Sequence, residues 1–422
     1  MTSTAERVVA LVRPVIGSDL PVRIRAWDGS EAGPLNAPVV HLTSRRALRR
    51  ILWHPDELGL AQAYVTGELD APGGADDVVD ALRRAWQTTP TRAHRPDARH
   101  LLTAVATGAR LGALGLRPKP PVSQARLDGD VHTTTRDKAA ISHHYDLSND
   151  FYALLLDESM AYSCAYYSRP DMSLAEAQRA KLDLICRKLD LRPGMRLLDV
   201  GCGWGSLSLH AAEHYGAVVL GVTISRQQQE FVAKRIADRG LDGQVEVRLQ
   251  DYREVREAPF DAVSSIEMGE HVGEDNYGTY AGVLFEQLKP SGRMLLQQMS
   301  RHRDAAPGGG AFIENFIAPD MHMRPLPDTL RFLQDAGFEI REVQAMREHY
   351  ARTVADWHDT FEKHYREAVS MVGEEIARVW RLYLIGGGLT FEQGRMGVDQ
   401  ILAVRPAYGA ASVCQVPDWN QT

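Results

Sequence analysis

The segment LLDVGCGWG, residues 197–205, limits the fold more than any other: an apolar run ends in an acid, and three glycines follow at alternate positions. A short apolar run closed by glycine reads as a buried strand turning sharply into the next element. From about residue 127 the strand-like segments MRLLDVG, AVVLGVTI, VEVRLQD, FDAVSSIEM and RMLLQQM succeed one another. Helical segments such as RQQQEFVAKRIADRG separate the first four. Strand–helix alternation predicts an α/β fold, a doubly wound and mostly parallel sheet. In such sheets ligands sit beyond the carboxyl ends of the strands. Here those ends are Gly201–Gly205, Thr223–Ser225, Gln250–Tyr252, Glu267–His271 and Gln297–Ser300.

The glycine spacing discriminates between ligands. A dinucleotide fingerprint needs its third glycine one position later, where this chain has Ser206. It also needs an acid about 20 residues on to hold a ribose, and the second strand ends instead in Thr223. A pyrophosphate cradle is therefore disfavoured. Asp199 before a tight turn suits S-adenosylmethionine better, and DVGCGWG resembles the first motif of class I methyltransferases.

A chain of 422 residues exceeds one ordinary core. Residues 1–80 mix strand-like pieces (PVRIRAWDG, PVVHLTS) with helical ones (SRRALRRILWH, ADDVVDALRRAW) and read as a small α+β domain. Residues 81–126 form a basic linker: Arg83, Arg84, Arg92, Arg95, Arg99, Arg110, Arg117, Lys119 and Arg126 stand against one acid, Asp97. Within it LLTAVATGARLGALGL is a short apolar helix candidate, and the segment reads either as a solvated linker or as a contact for anionic lipid headgroups. Residues 127–422 form the sheet domain. A net charge of −7 argues against bulk nucleic-acid binding. Cys164, Cys186, Cys202 and Cys414 form no CxxC pair, so neither zinc nor a disulfide framework is expected. The first residues lack a signal-peptide core, and no run of about 18 apolar residues occurs. A cytoplasmic protein is the expectation.

Four further segments carry a resemblance: HHYDLSNDFYALLLDESMAYSCAYY (143–167), GVTISRQQ (221–228), IEMGEHVG (266–273) and RLYLIGGGLTFEQGRMGVDQILAVRP (381–406). With the glycine turn they resemble the cyclopropane-fatty-acyl-phospholipid synthase family, which includes the mycolic acid cyclopropane synthases, over residues 130–406. The resemblance implies methylation of a double bond in an acyl chain, usually within an intact phospholipid at the inner face of the membrane. It implies that Tyr162 and Ser163 close over the methionine end of S-adenosylmethionine and that Gly201 and Gly203 make the turn. Thr223 and Gln228 would bind the ribose; Asp251, Tyr252 and Ile266 would surround the adenine.

An alkene is a poor nucleophile and needs a strong electrophile held close and in line. Attack leaves a carbocation, so the site must exclude water. Tyr162, Tyr166 and Tyr167 offer aromatic faces to the cation. A base must then take a proton from the added methyl group. The resemblance implies a bound bicarbonate as that base, held at positions matching Cys164, Glu270, Gln297, Met299 and Tyr350. Glu270 would orient the anion through its proton. Cys164 reads as packing and a backbone donor, not as a nucleophile.

Two departures stand out. The family usually reads LLHTI where this chain reads LLQQM, so Gln297 replaces a histidine and Met299 an isoleucine. Glutamine donates a hydrogen bond but carries no charge; the anion would be held differently, more weakly, or not at all. Glu267, Met268 and Gly269 stand where the family more often has a small residue and Phe. The extra carboxylate, Glu267, reads as a supporting or surface group in preference to a replacement base. An altered base shell favours altered partitioning of the cation. The preferred expectation is a hydride shift and loss of a methyl proton, giving a 10-methylene chain that a separate reductase would saturate. Ring closure to a cyclopropane is the alternative, and a lipid-binding homologue without catalysis is the reading from another class. A homo-oligomer fits an enzyme of membrane surfaces, but no segment marks an interface.

Overall fold

The structure is a computed structural model that describes residues 2–16, 21–88, 105–125, 136 and 148–407. Arg92, Arg95, Arg99, Arg126 and Cys414, and parts of the 101–116 and 143–167 segments, lie outside the described residues. The chain divides into two units. One comprises Met1–Ala125, Gly310–Ile317 and Phe361–Leu389; the other holds Arg126–Gly309, Ala318–Thr360 and Thr390–Thr422. The unit built on the first residues thus extends beyond residue 80. It takes in two later segments that the sequence reading left in the sheet domain.

In this first unit β1 (Arg23–Arg25), β2 (Glu31–Ala32), β3 (Val39–Leu42) and β4 (Leu69–Asp70) form a small sheet in the order β2-β1-β3-β4. Helix Arg45–Trp53 starts at Ser44, whose side chain accepts from Arg46 N–H, and helix Glu57–Val65 at Asp56, which accepts from Leu58 and Gly59 N–H. Such caps satisfy donors that the first helical turn leaves unpaired. Val8, Ile24, Leu42, Leu48 and Leu111 share one core. Arg50 is buried beneath it, with Nε 2.8 Å from Glu68 and NH1 donating to the Lys119 carbonyl at 2.8 Å. Arg378, from helix Glu374–Glu392, donates to the Tyr64 carbonyl at 2.7 Å and lies over the Tyr64 ring. These contacts explain why a late helix belongs to the early unit.

The second unit holds β5 (Arg196–Val200), β6 (Val218–Thr223), β7 (Val245–Leu249), β8 (Phe260–Ile266), β9 (Leu288–Arg301), β10 (Glu339–Ala345) and β11 (Met396–Val404). The order is β10-β11-β9-β8-β5-β6-β7. β5 through β9 are parallel to their neighbours, whereas β11 runs antiparallel between β9 and β10. This is the doubly wound sheet expected. The strand order reverses between β5 and β8, where such sheets open a crevice. Leu198, Val200, Leu220 and Val263 join one core cluster, and Leu197, Val219 and Ala262 another, so alternate residues of the central strands face different cores. Helix Leu174–Lys188 begins with a capping box between Ser173 and Glu176. β10 and β11 lie beyond the five strands expected; β10, at the edge, has no fully buried residue and no regular alternation, and carries only a weak strand signal. No helix among the described residues is long and apolar enough to cross a membrane.

Removing Arg50 would leave Glu68 only the exposed Arg46 among the described residues, at 3.1 Å, and take the Arg50 donor from the Lys119 carbonyl. Arg50→Ala should therefore destabilise the first unit by about 3 kcal/mol, read as faster amide exchange in helix Arg45–Trp53 with β5–β9 unaffected.

Candidate active site

The glycine turn is built for close approach. Gly201, Gly203 and Gly205 all have positive φ, at 77°, 54° and 81°. A Cβ on Gly201 would lie 2.7 Å from the Met268 side chain, while one on Gly203 would meet nothing within 4 Å. Asp199 ties the turn to its surroundings, accepting from Ser208 Oγ at 2.8 Å and Ser264 Oγ at 3.0 Å. Burial raises its carboxyl above the ordinary value, against those two hydrogen bonds.

A cavity of about 1320 Å³, counting its open mouth, lies over this turn. Tyr162, Ser163, Gly201, Gly203, Thr223, Gln228, Asp251, Tyr252 and Ile266 all line it. They come from the ends of β5, β6, β7 and β8 and from the segment before helix Leu174–Lys188. Thr223 Oγ1 donates to Gln228 Oε1 at 2.8 Å, and Asp251 is paired with Arg253 at 2.7 Å. Tyr162 packs against Trp357 and Tyr152, with centroids 5.2 and 5.6 Å apart. Of the three tyrosines expected to face a cation, only Tyr162 reaches the cavity. Tyr166 lies tilted against the His349 ring instead, centroids 4.9 Å apart, and the Tyr167 hydroxyl donates to Asp356 at 2.7 Å. The correction has a simple cause: three residues so close in an irregular segment point in different directions.

Sequence reasoning missed Lys181. It is almost completely buried, lines the cavity and donates to Ser163 Oγ at 2.8 Å. Its signal was a charge on the buried face of a helix, between Gln178 and Ile185. Burial pulls its ammonium below the ordinary value, opposed chiefly by the charge of Glu267.

Beside the cavity lie two carboxyl groups, Glu270 fully buried and Glu267 partly buried. Glu267, in its wall, accepts from Cys164 N–H at 2.8 Å, Gln297 Nε2 at 2.7 Å and Tyr350 Oη at 2.6 Å. It is therefore no surface group; it sits at the centre of the residues expected to hold an anion. Its backbone is left-handed, φ 52°, which costs a non-glycine residue about 1–2 kcal/mol. Glu270 accepts from Met299 N–H at 2.5 Å, and its Oε2 has no hydrogen-bond partner among the described residues. Met299 thus contributes its backbone and not its side chain. Cys164 likewise contributes its N–H; burial pushes its thiol well up, which keeps it neutral. Gln297 is fixed from behind by Gln400, which donates to its Oε1 at 2.9 Å. Tyr350 stacks on Phe391 with centroids 4.4 Å apart.

The strand order, the glycine turn and a cavity at the β5/β8 reversal define a class I S-adenosylmethionine-dependent methyltransferase. The family model for mycolic acid cyclopropane synthetase matches residues 132–401, and the chain belongs to that family. It is 37% identical to a probable fatty acid methyltransferase of Mycobacterium tuberculosis over 91% of each chain. The structure of the cyclopropane synthase MmaA2 from Mycobacterium tuberculosis covers 65% of this chain and all of its own, with a TM-score of 0.61 and 32% identity. A mycolic acid cyclopropane synthase, CmaA1, solved with SAH and CTAB, covers 63% of this chain and 98% of its own at TM-score 0.60 and 33% identity. The protein is an S-adenosylmethionine-dependent fatty-acid methyltransferase. The cavity fits the cofactor: the open space at Gly203 admits a close ligand, and Thr223, Gln228 and Asp251 supply polar groups.

Burial, and then the charge of Glu267, push the Glu270 carboxyl up to about 8. The folded protein then holds this proton more tightly than the unfolded chain does. The associated stability is fully present below about 4.5 and is lost as pH rises through about 8. Glu270→Gln should flatten that decline in urea-unfolding free energy between those two pH values.

Proposed function

We propose that the protein methylates the double bond of an oleoyl-type chain within a phospholipid at the membrane surface and releases a 10-methylene-branched chain. The observation that carries the product is the Gln297 amide, shared between Glu267 and Gln400 where the family has histidine. S-adenosylmethionine bound over the glycine turn supplies an electrophilic methyl group. The chain's own residues do the rest. Tyr162, backed by Trp357, offers an aromatic face to the cation left on the acyl chain. The wall of buried Cys164 and Gln297, with Glu267 partly buried beside them, keeps water from that cation, which water would convert to an alcohol. A neutral amide cannot relay a proton as an imidazole can. Deprotonation is then slower, and the cation lasts long enough for a hydride to shift between the two chain carbons. Loss of a methyl proton from the shifted cation gives the methylene. A separate reductase would saturate it. The family model favours a second reading, ring closure to a cyclopropane.

Incubation with S-adenosylmethionine and oleoyl phospholipid vesicles tests the reading by mass spectrometry and NMR of the released chains. A gain of one CH2 with vinylidene protons is expected. Upfield ring protons would replace the methylene assignment with the cyclopropane.

The membrane contact is supported by a patch on the first unit. Leu116 is 90% exposed beside the exposed Leu114, Val105 and Trp53, whose indole donates to the Gly115 carbonyl at 3.1 Å. Exposed Arg110, Arg117 and Lys119 stand in the same segment. Exposed apolar and cationic side chains in one segment match an anionic bilayer surface, where each cation contributes about 1 kcal/mol. Leu116→Glu should weaken co-sedimentation with phosphatidylglycerol vesicles severalfold while leaving S-adenosylmethionine affinity unchanged; equal binding by the variant would remove the patch from the reading.

A further inference from the structure

The donor set does not fit a free bicarbonate, because the chain itself fills it. Cys164 N–H, Gln297 Nε2 and Tyr350 Oη come from three separate segments and all end on the Glu267 carboxylate, at 2.8, 2.7 and 2.6 Å. These are three of the five positions expected from the sequence to hold the anion. A fourth, Met299 N–H, is taken by the fifth, Glu270. We propose that Glu267 is the built-in base of this enzyme and stands in place of an exogenous anion. This rests on the methyl transfer to an alkene set out above.

The step balances without a further reactant. One Glu267 carboxylate oxygen accepts a proton from the methyl group added to the acyl chain. The C–H electron pair becomes the π bond of the methylene, or the third ring bond of a cyclopropane, and the carbocation is discharged. Glu267 leaves the step neutral and returns its proton to solvent through the cavity it lines.

The two carboxyls divide the work by their partners. Burial raises the Glu267 carboxyl above its ordinary value, but its three donors and the nearby charge of Lys181 oppose that shift and favour the ionised form. Glu270 has one N–H donor and one unpartnered oxygen, so the shared negative charge settles on Glu267 and the proton on Glu270. The left-handed backbone at Glu267 fits the same assignment. Strain of this kind persists where the surroundings over-determine a functional residue.

Glu267→Gln and Glu267→Gly test the assignment in the full-length protein. The amide cannot take a proton, so turnover on oleoyl vesicles should fall about a hundredfold or more. Glycine relaxes the backbone and vacates the donors. This variant should lose turnover in bicarbonate-free buffer and recover part of it when bicarbonate is added; wild type should be indifferent to bicarbonate. Independently of turnover, 13C-bicarbonate NMR of the cofactor-free proteins should show exchange broadening with Glu267→Gly and none with wild type. Calorimetry should find S-adenosylmethionine bound by both variants, which separates loss of the base from loss of the fold. Full turnover by Glu267→Gln, bicarbonate dependence of wild type, or bicarbonate binding to wild type would each overturn the proposal. A wild type that adds no methyl to the lipid would overturn the proposed reaction instead, and the NMR comparison would still decide whether Glu267 displaces the anion.

Discussion

A carboxylate held at the end of β8 by three distant donors is the interaction on which the rest of the site depends. Glu267 draws together the Cys164 segment, β9 through Gln297, and the helix carrying Tyr350. Removing a carboxylate from water costs several kcal/mol unless its lone pairs are met. The three donors meet them, and Lys181 adds an opposing charge. The same bonds fix the wall of the cavity, so the group that must be satisfied for folding also shapes the place where chemistry occurs.

The surrounding shell is rigid for its own reasons. Gln297 is clamped by Gln400 across the β9–β11 pairing, and Tyr350 is pressed against Phe391 and Trp357. Buried amide and aromatic groups of this kind leave little room for rearrangement. Under the proposed reaction, a fixed Glu267 carboxyl and a fixed aromatic face suit an intermediate with several exits, because geometry decides among them. The first unit has a different physical character. Leu114 and Leu116 stand exposed on it, while its own core is closed by a helix from late in the chain.

The glycine turn was legible because its constraint is local: a φ between 54° and 81° at alternate positions admits glycine cheaply and almost nothing else. The parallel strands were legible because burial on both faces demands continuous apolar runs. The nine positions expected around the cofactor follow from strand ends and motif register, and they line one cavity. The antiparallel edge was harder to read. β10 mixes polar and apolar residues without a period of two, and β11 follows a glycine-interrupted helix. The recruitment of residues 361–389 into the early unit left no local mark either.

By itself the sequence determined the sheet, the turn and the methyltransferase family, since each depends on periodicity, backbone conformation or motif register. Only the tertiary structure brought the Glu267 carboxyl among the donors of Cys164, Gln297 and Tyr350. Whether Glu267 faces solvent or meets Cys164, Gln297 and Tyr350 depends on distances between segments 30 to 103 residues apart. No periodicity in the chain encodes such distances. They arise when the strands pack and the carboxylate takes the donors that lower its cost most.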